Sequence, residues 1–133
     1  MKARIELDHA NPRIIQPLLA IEGYLHRSSL GARLLHLVKT RASQINGCAY
    51  CLDMHTKDAR AEGESEQRLY ALDAWRETPF FDAHLTDQEL IDLTLAISNI
   101  NAWNRLNIAL RSAPGDYRPG MYKSMLSQAG LPS

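Results

Sequence analysis

The chain lacks several things that would decide its class at once. None of its 133 residues falls in an uninterrupted apolar run of the roughly 18 needed to cross a membrane, and the start, Met1-Lys2-Ala3-Arg4-Ile5-Glu6, has no signal-peptide apolar core. A cytoplasmic location is the expectation. Charge of either sign is not in excess: 15 Lys and Arg balance 15 Asp and Glu, which argues against a nucleic-acid or anionic-membrane partner. Sustained two-residue alternation is missing, so strands have no support. No glycine-rich phosphate loop and no serine nucleophile elbow is present. There are only two cysteines, Cys48 and Cys51, too close in sequence for their bond to remove much unfolded-state entropy. In a reducing compartment such a pair serves chemistry better than stability.

What is present is apolar spacing of three and four residues between turn markers, which predicts an all-α fold of five to six helices in a single domain over 1–133. Asn11-Pro12 opens the first helix, with Ile15, Leu18, Leu19 and Tyr24 inward and a kink or delayed start at Pro17. The second runs from about Leu30 to Ile45, with Leu34, Leu35, Val38, Ala42 and Ile45 on its apolar face, and stops at Asn46-Gly47. A third spans about Cys48 to Ala61, and Ser65 opens a fourth that reaches Trp75. Thr86-Asp87-Gln88-Glu89 reads as a capping box for the longest helix, to about Arg111, with Leu90, Leu93, Ile97, Ile100 and Leu106 as core. Asn99, Asn101, Asn104 and Asn107 are poor helix formers, so hydrogen bonds to neighbouring segments are expected of them. Residues 114–133 form a C-terminal arm with a short helix around Met121 to Gln128, of a kind that often lies on a neighbouring subunit.

The chemistry concentrates in Cys48-Ala49-Tyr50-Cys51-Leu52-Asp53-Met54-His55. On a helix, offsets of three and four put Cys48, Cys51 and His55 on one face, and two thiols one turn apart have the Cα separation a disulfide requires. This is a redox dithiol. A thiol near the positive end of a helix, beside a second thiol and with His55 as proton acceptor or cationic neighbour, has its pKa lowered and reacts as thiolate. Cys51 lies nearer His55 by spacing and is the candidate attacking sulfur; Cys48 is the resolving one. A second reading makes Cys48, Cys51, His55 and His36 a closed zinc site, and a third makes the cysteines plain core residues. Haem attachment needs histidine where Leu52 stands, and a thioredoxin motif needs flanking strands. His9, His26 and His84 read as surface or capping groups, Arg33, Lys39 and Arg41 as a solvated helix face. Trp75, Trp103, Tyr24 and Tyr70 read as core or subunit-contact aromatics.

The stretch Val38 to Ala59, with Ser43-Gln44-Ile45-Asn46-Gly47-Cys48-Ala49-Tyr50-Cys51 at its centre, resembles the alkylhydroperoxidase D-like core of the carboxymuconolactone decarboxylase superfamily. Leu93 to Arg111, with Ile100-Asn101-Ala102-Trp103-Asn104-Arg105, is similar to the closing helix of the same group, so the likeness covers most of residues 12 to 115. The resemblance implies an all-helical fold that assembles as dimers, trimers or hexamers. It implies a peroxidase with Cys51 peroxidatic, Cys48 resolving and His55 in a proton relay. The substrate would be hydrogen peroxide or a small organic hydroperoxide, an external dithiol would reset the enzyme, and no cofactor would be needed. Lactone decarboxylation, the other activity in the superfamily name, does not call for a CxxC pair. This sequence departs from the pattern where a glutamate stands eleven intervening residues before the first cysteine: the position holds His36, a candidate relay residue in its place. The segment from Glu77 to Asp87 is also short for the group, so apolar surface must be covered by repacking or by another subunit.

Overall fold

In a computed structural model, which describes residues 2–7, 12–79 and 84–131, all regular structure is helical. The order is α1 (Pro12–His26), α2 (Ala32–Asn46), α3 (Ala49–Ala61), α4 (Glu66–Ala71), a 3-10 segment (Leu72–Glu77), α5 (Asp87–Leu110) and α6 (Met121–Gln128). The helix-forming signals in the sequence operate as their chemistry dictates. Thr86 and Glu89 close a full capping box on α5, Ser65 caps α4 through Arg68 N–H, and α1 runs on through Pro17. Asn11, His9 and residues 80–83 lie outside the described residues, so the Asn11 cap and most of the shortened connection are not described.

The corner between α2 and α3 matters most for the site. Gly47 sits at φ 71°, in the left-handed region, and the N–H groups of Gly47 and Cys48 donate back to Gln44 O and Ser43 O. One residue later Cys48 is already the N-cap of α3, its sulfur accepting from Cys51 N–H at 3.4 Å. A single residue therefore ends one helix and aims the next, and the dithiol starts α3.

Among the described residues apolar packing is divided among three small clusters. Leu25, Leu30, Leu35 and Ala96 join α1, α2 and α5; Leu37, Ala59, Leu69 and Leu72 join α2, α3 and α4; Ile15, Leu19 and Leu126 hold α6 against α1 of the same chain. Between them lies a polar interior. Lys39 is 1% exposed and its ammonium pairs with Glu22, itself accepting from Asn99 Nδ2 at 2.8 Å. Asn104 donates to Ser43 Oγ at 3.0 Å, and Asn46 of α2 donates to both Asn101 and Asn104. Three of the four α5 asparagines thus bond out of their helix, while Asn107 turns back to Trp103 O.

Several apolar expectations need correction. Ile45, Leu90, Ile97 and Tyr24 are exposed rather than core. The inward stripe of α2 carries Leu35, His36, Lys39, Thr40 and Ser43, because a polar interior takes the positions that spacing alone assigned to Val38, Ala42 and Ile45. The fourth helix gives way to 3-10 geometry at Leu72, before Trp75.

Removing one member of a buried ion pair strands the other charge, which costs about 3–5 kcal/mol. Lys39→Met and Glu22→Gln should each lower urea-unfolding stability on that scale, and the double variant should recover much of the loss. Equal stability of the single variants and the parent chain would show that the pair is not what holds α1 to α2.

Candidate functional site

Cys48 and Cys51 are joined by a disulfide, with their Cα atoms 5.3 Å apart, at the first turn of α3. Both residues are 1% exposed. Cys51 lines a cavity of about 50 Å³ that it shares with His55 and Asp58 of α3, His36 and Lys39 of α2, and Glu22 and His26 of α1. Trp103 and Asn107 of α5 and Tyr122 of α6 complete its polar and aromatic wall. Cys48 is not part of that wall. The cavity has room for a few molecules of water size.

Of the four residues singled out in the sequence, Cys51, His55 and His36 line this cavity, and Cys48 is joined to it through its bond to Cys51. His36 and His55 have ring centroids 5.8 Å apart, and both are buried. His26, expected at the surface, is half-buried and stands 5.9 Å from His36 and 4.9 Å from the Tyr122 ring. Lys39, expected on a solvated face, is the buried cation of the site; Arg41, on the other side of α2, pairs with Asp73. His84 is exposed, as anticipated.

Burial governs the titration of the histidines. It lowers His36 to about 3 and His26 to about 4, and holds His55 well below its ordinary value, with the Lys39 ammonium pushing the same way. His55 is therefore a neutral base and not the cationic neighbour the sequence allowed. Lys39 is a cation of the cavity that Cys51 lines. Asp58 is pushed up by burial and restrained by the Tyr117 hydroxyl, which lies 3.0 and 2.8 Å from its two oxygens.

The alternative zinc set from the sequence is Cys48, Cys51, His55 and His36. The sulfurs are bonded to each other, and the ligand atoms that converge among the described residues belong to His36, His55 and Asp58, all within 4.8 Å of one another. Glu22, Lys39 and Asp58 were missed. A signal for them existed: His36, Lys39, Thr40 and Ser43 follow helical spacing on α2, and Asp58 follows His55 by three on α3.

Residues 12–88 match the family model described as the carboxymuconolactone decarboxylase family. The chain belongs to that family. Within reach of this carboxymuconolactone decarboxylase family member is the uncharacterized protein YdfG of Bacillus subtilis (strain 168), 34% identical over 140 residues, a match that takes in 83% of this chain and 95% of YdfG. A crystal structure of ATU0492 from Agrobacterium tumefaciens, a protein of unknown function for which a role as the antioxidant defence protein AhpD has been suggested, superposes with a TM-score of 0.79. It is 34% identical and the match covers 87% of this chain and 100% of that one. The family's alkylhydroperoxidase D-like fold is thus the fold of this chain.

Stability should follow these titrations. In the unfolded chain His36 gains a proton as pH falls through about 6.5, whereas in the folded protein it resists until about 3. The unfolded state binds more protons in that window, so folding weakens on acidification, by up to about 1.4 kcal/mol per pH unit for such a histidine. Urea titrations between about pH 7 and pH 4 should show this loss, and His36→Gln should make it shallower. An unchanged slope in that variant would mean that His36 is not held neutral.

Proposed function

We propose that this protein is a thiol peroxidase that reduces hydrogen peroxide or a small organic hydroperoxide through a Cys48 and Cys51 dithiol-disulfide cycle. The observation that carries the reading is the Cys48–Cys51 bond on the first turn of α3, with Cys51 facing a small cavity that also holds a neutral, buried His55. The suggested antioxidant role of ATU0492 supports the same chemistry.

In the reduced enzyme the Cys51 thiol passes its proton to the unprotonated His55 imidazole as the sulfur attacks. The thiolate is favoured by the α3 N-terminus and by Lys39 on the cavity wall. Its sulfur attacks the outer oxygen of the hydroperoxide; an S–O bond forms, the O–O bond breaks, and the leaving alkoxide or hydroxide takes a proton from His55 to depart as alcohol or water. Cys51 is now a sulfenic acid. Cys48, deprotonated in turn, attacks the Cys51 sulfur, forming the S–S bond and releasing water once the departing oxygen is protonated. An external dithiol returns two electrons and two protons, as the cytoplasm allows. His36, at the position of the family's glutamate, belongs to the relay as a second neutral imidazole beside His55. The cavity's small volume favours a compact oxidant.

A homo-oligomer, of the dimer, trimer or hexamer type, is part of the same reading. Leu90, Ile97 and Ile108, offset by seven and eleven residues, are exposed along one side of α5, a row of apolar side chains that a second copy would cover.

Reduced protein treated with one equivalent of hydrogen peroxide should lose both thiols to an intramolecular disulfide seen by mass spectrometry. Cys48→Ser should trap a sulfenic acid on Cys51, and His55→Gln should slow oxidation by about 10²-fold or more. Retention of both thiols would reject the peroxidase, and a sulfenic acid trapped only on Cys48 in Cys51→Ser would reverse the two roles. Sedimentation velocity should give a species larger than one 15.0 kDa chain, reduced to monomer by charged residues at Leu90 and Ile97; a monomeric parent chain would remove the oligomer from the proposal.

A further inference from the structure

We infer that His36, His55 and Asp58 form a binding site for a divalent transition-metal ion of the zinc type. The three residues come from facing helices, α2 and α3, and present two imidazole nitrogens and one carboxylate oxygen that all lie within 4.8 Å of one another. Around a tetrahedral ion with bonds of roughly 2.0–2.1 Å, such atoms stand about 3.3 Å apart, so small side-chain rotations bring them into place. The imidazole centroids, 5.8 Å apart, are already near the separation of roughly 5 Å that two histidines on one ion adopt.

A second observation is independent of this convergence. Neither nitrogen of His55 and not Nδ1 of His36 meets a hydrogen-bond partner among the described residues, although the two side chains are only 3% and 4% exposed. A buried polar atom without a partner costs about 1–3 kcal/mol, and three of them converge on one wall of one cavity. A metal ion answers one nitrogen on each ring at once. The charge balance agrees: Glu22 and Lys39 cancel, leaving the Asp58 carboxylate as the uncompensated negative group beside the imidazoles. The Tyr117 hydroxyl, 3.0 and 2.8 Å from the two Asp58 oxygens, fixes the orientation of the carboxylate, the kind of outer support that a metal-binding carboxylate has.

Two nitrogens and one carboxylate oxygen leave a coordination position open toward the cavity, as in sites that keep a water or a small ligand on the ion. The ion takes no part of its binding from sulfur, so the site stands whether or not the dithiol is a peroxidase. It does occupy the His55 lone pair that the peroxidase uses as base, so the metal-loaded and turnover states exclude each other.

The test uses Zn²⁺ alone, titrated calorimetrically into the full chain with the Cys48–Cys51 disulfide intact. One ion per chain is expected, with affinity lowered about tenfold or more by His36→Gln and by Asp58→Asn. Absence of binding, binding that appears only after reduction of the disulfide, or unchanged affinity in both variants would overturn the site. Should either variant fail to fold, X-ray absorption on the zinc-loaded, reduced parent chain decides: nitrogen and oxygen neighbours alone uphold the assignment, and a sulfur shell at about 2.3 Å moves the ion to the cysteines and overturns it.

Discussion

A lysine ammonium inside a helical bundle is stable only if something answers it, and here Glu22 does, steadied by Asn99. That interaction joins three helices at one point, since Lys39 belongs to α2, Glu22 to α1 and Asn99 to α5. Because α2 packs on α3 and α5, the position of the ion pair sets where the dithiol helix meets the rest of the fold. It also sets the electrostatics. The ammonium is a cause, after burial, of the low basicity of all three clustered histidines. A charge that costs energy to bury thereby decides the protonation states with which the site works.

The interior divides its labour accordingly. Among the described residues three modest apolar clusters hold pairs and triplets of helices, and side chains between them make hydrogen bonds that specify register: Asn104 to Ser43, and Asn99 and Lys39 to Glu22. Nearer the surface Asn46 reaches Asn101 and Asn104, and Lys57 reaches Asp53 and the 115–117 backbone. An apolar core tolerates sliding because it is non-directional, whereas amide-to-hydroxyl bonds are satisfied in few arrangements. The long α5, with little amphipathic contrast along its length, is placed by its asparagines more than by a greasy stripe.

Much of this was legible in the residues. The capping box, the Asn-Gly stop and the CxxC spacing each act through local geometry, which a single sequence records, and the asparagine run betrays its outside partners by its poor fit to a free helix. The disulfide-competent pair and the meeting of His36 with His55 also follow from helical offsets plus family resemblance. What escaped was the identity of the inward face of α2. A lysine reads as solvated because it is seldom buried, and only the presence of Glu22 on a different helix, seventeen residues earlier, reverses that rule. His26 and Asp58 escaped for the same reason, since each acquires its meaning from partners distant in sequence. Ile45 and Leu90 went the other way, apolar by type yet left outside by the tertiary packing.

The turn at Gly47 carries one more implication, for how such chains can vary. With a single left-handed residue between α2 and the cap of α3, inserting or deleting one position there would change the direction in which α3 leaves the corner. Cys51, His55 and Asp58 would then swing away together from His36 and Lys39. A change of length between Thr78 and Thr86, where no residue of the site stands, leaves that corner as it is.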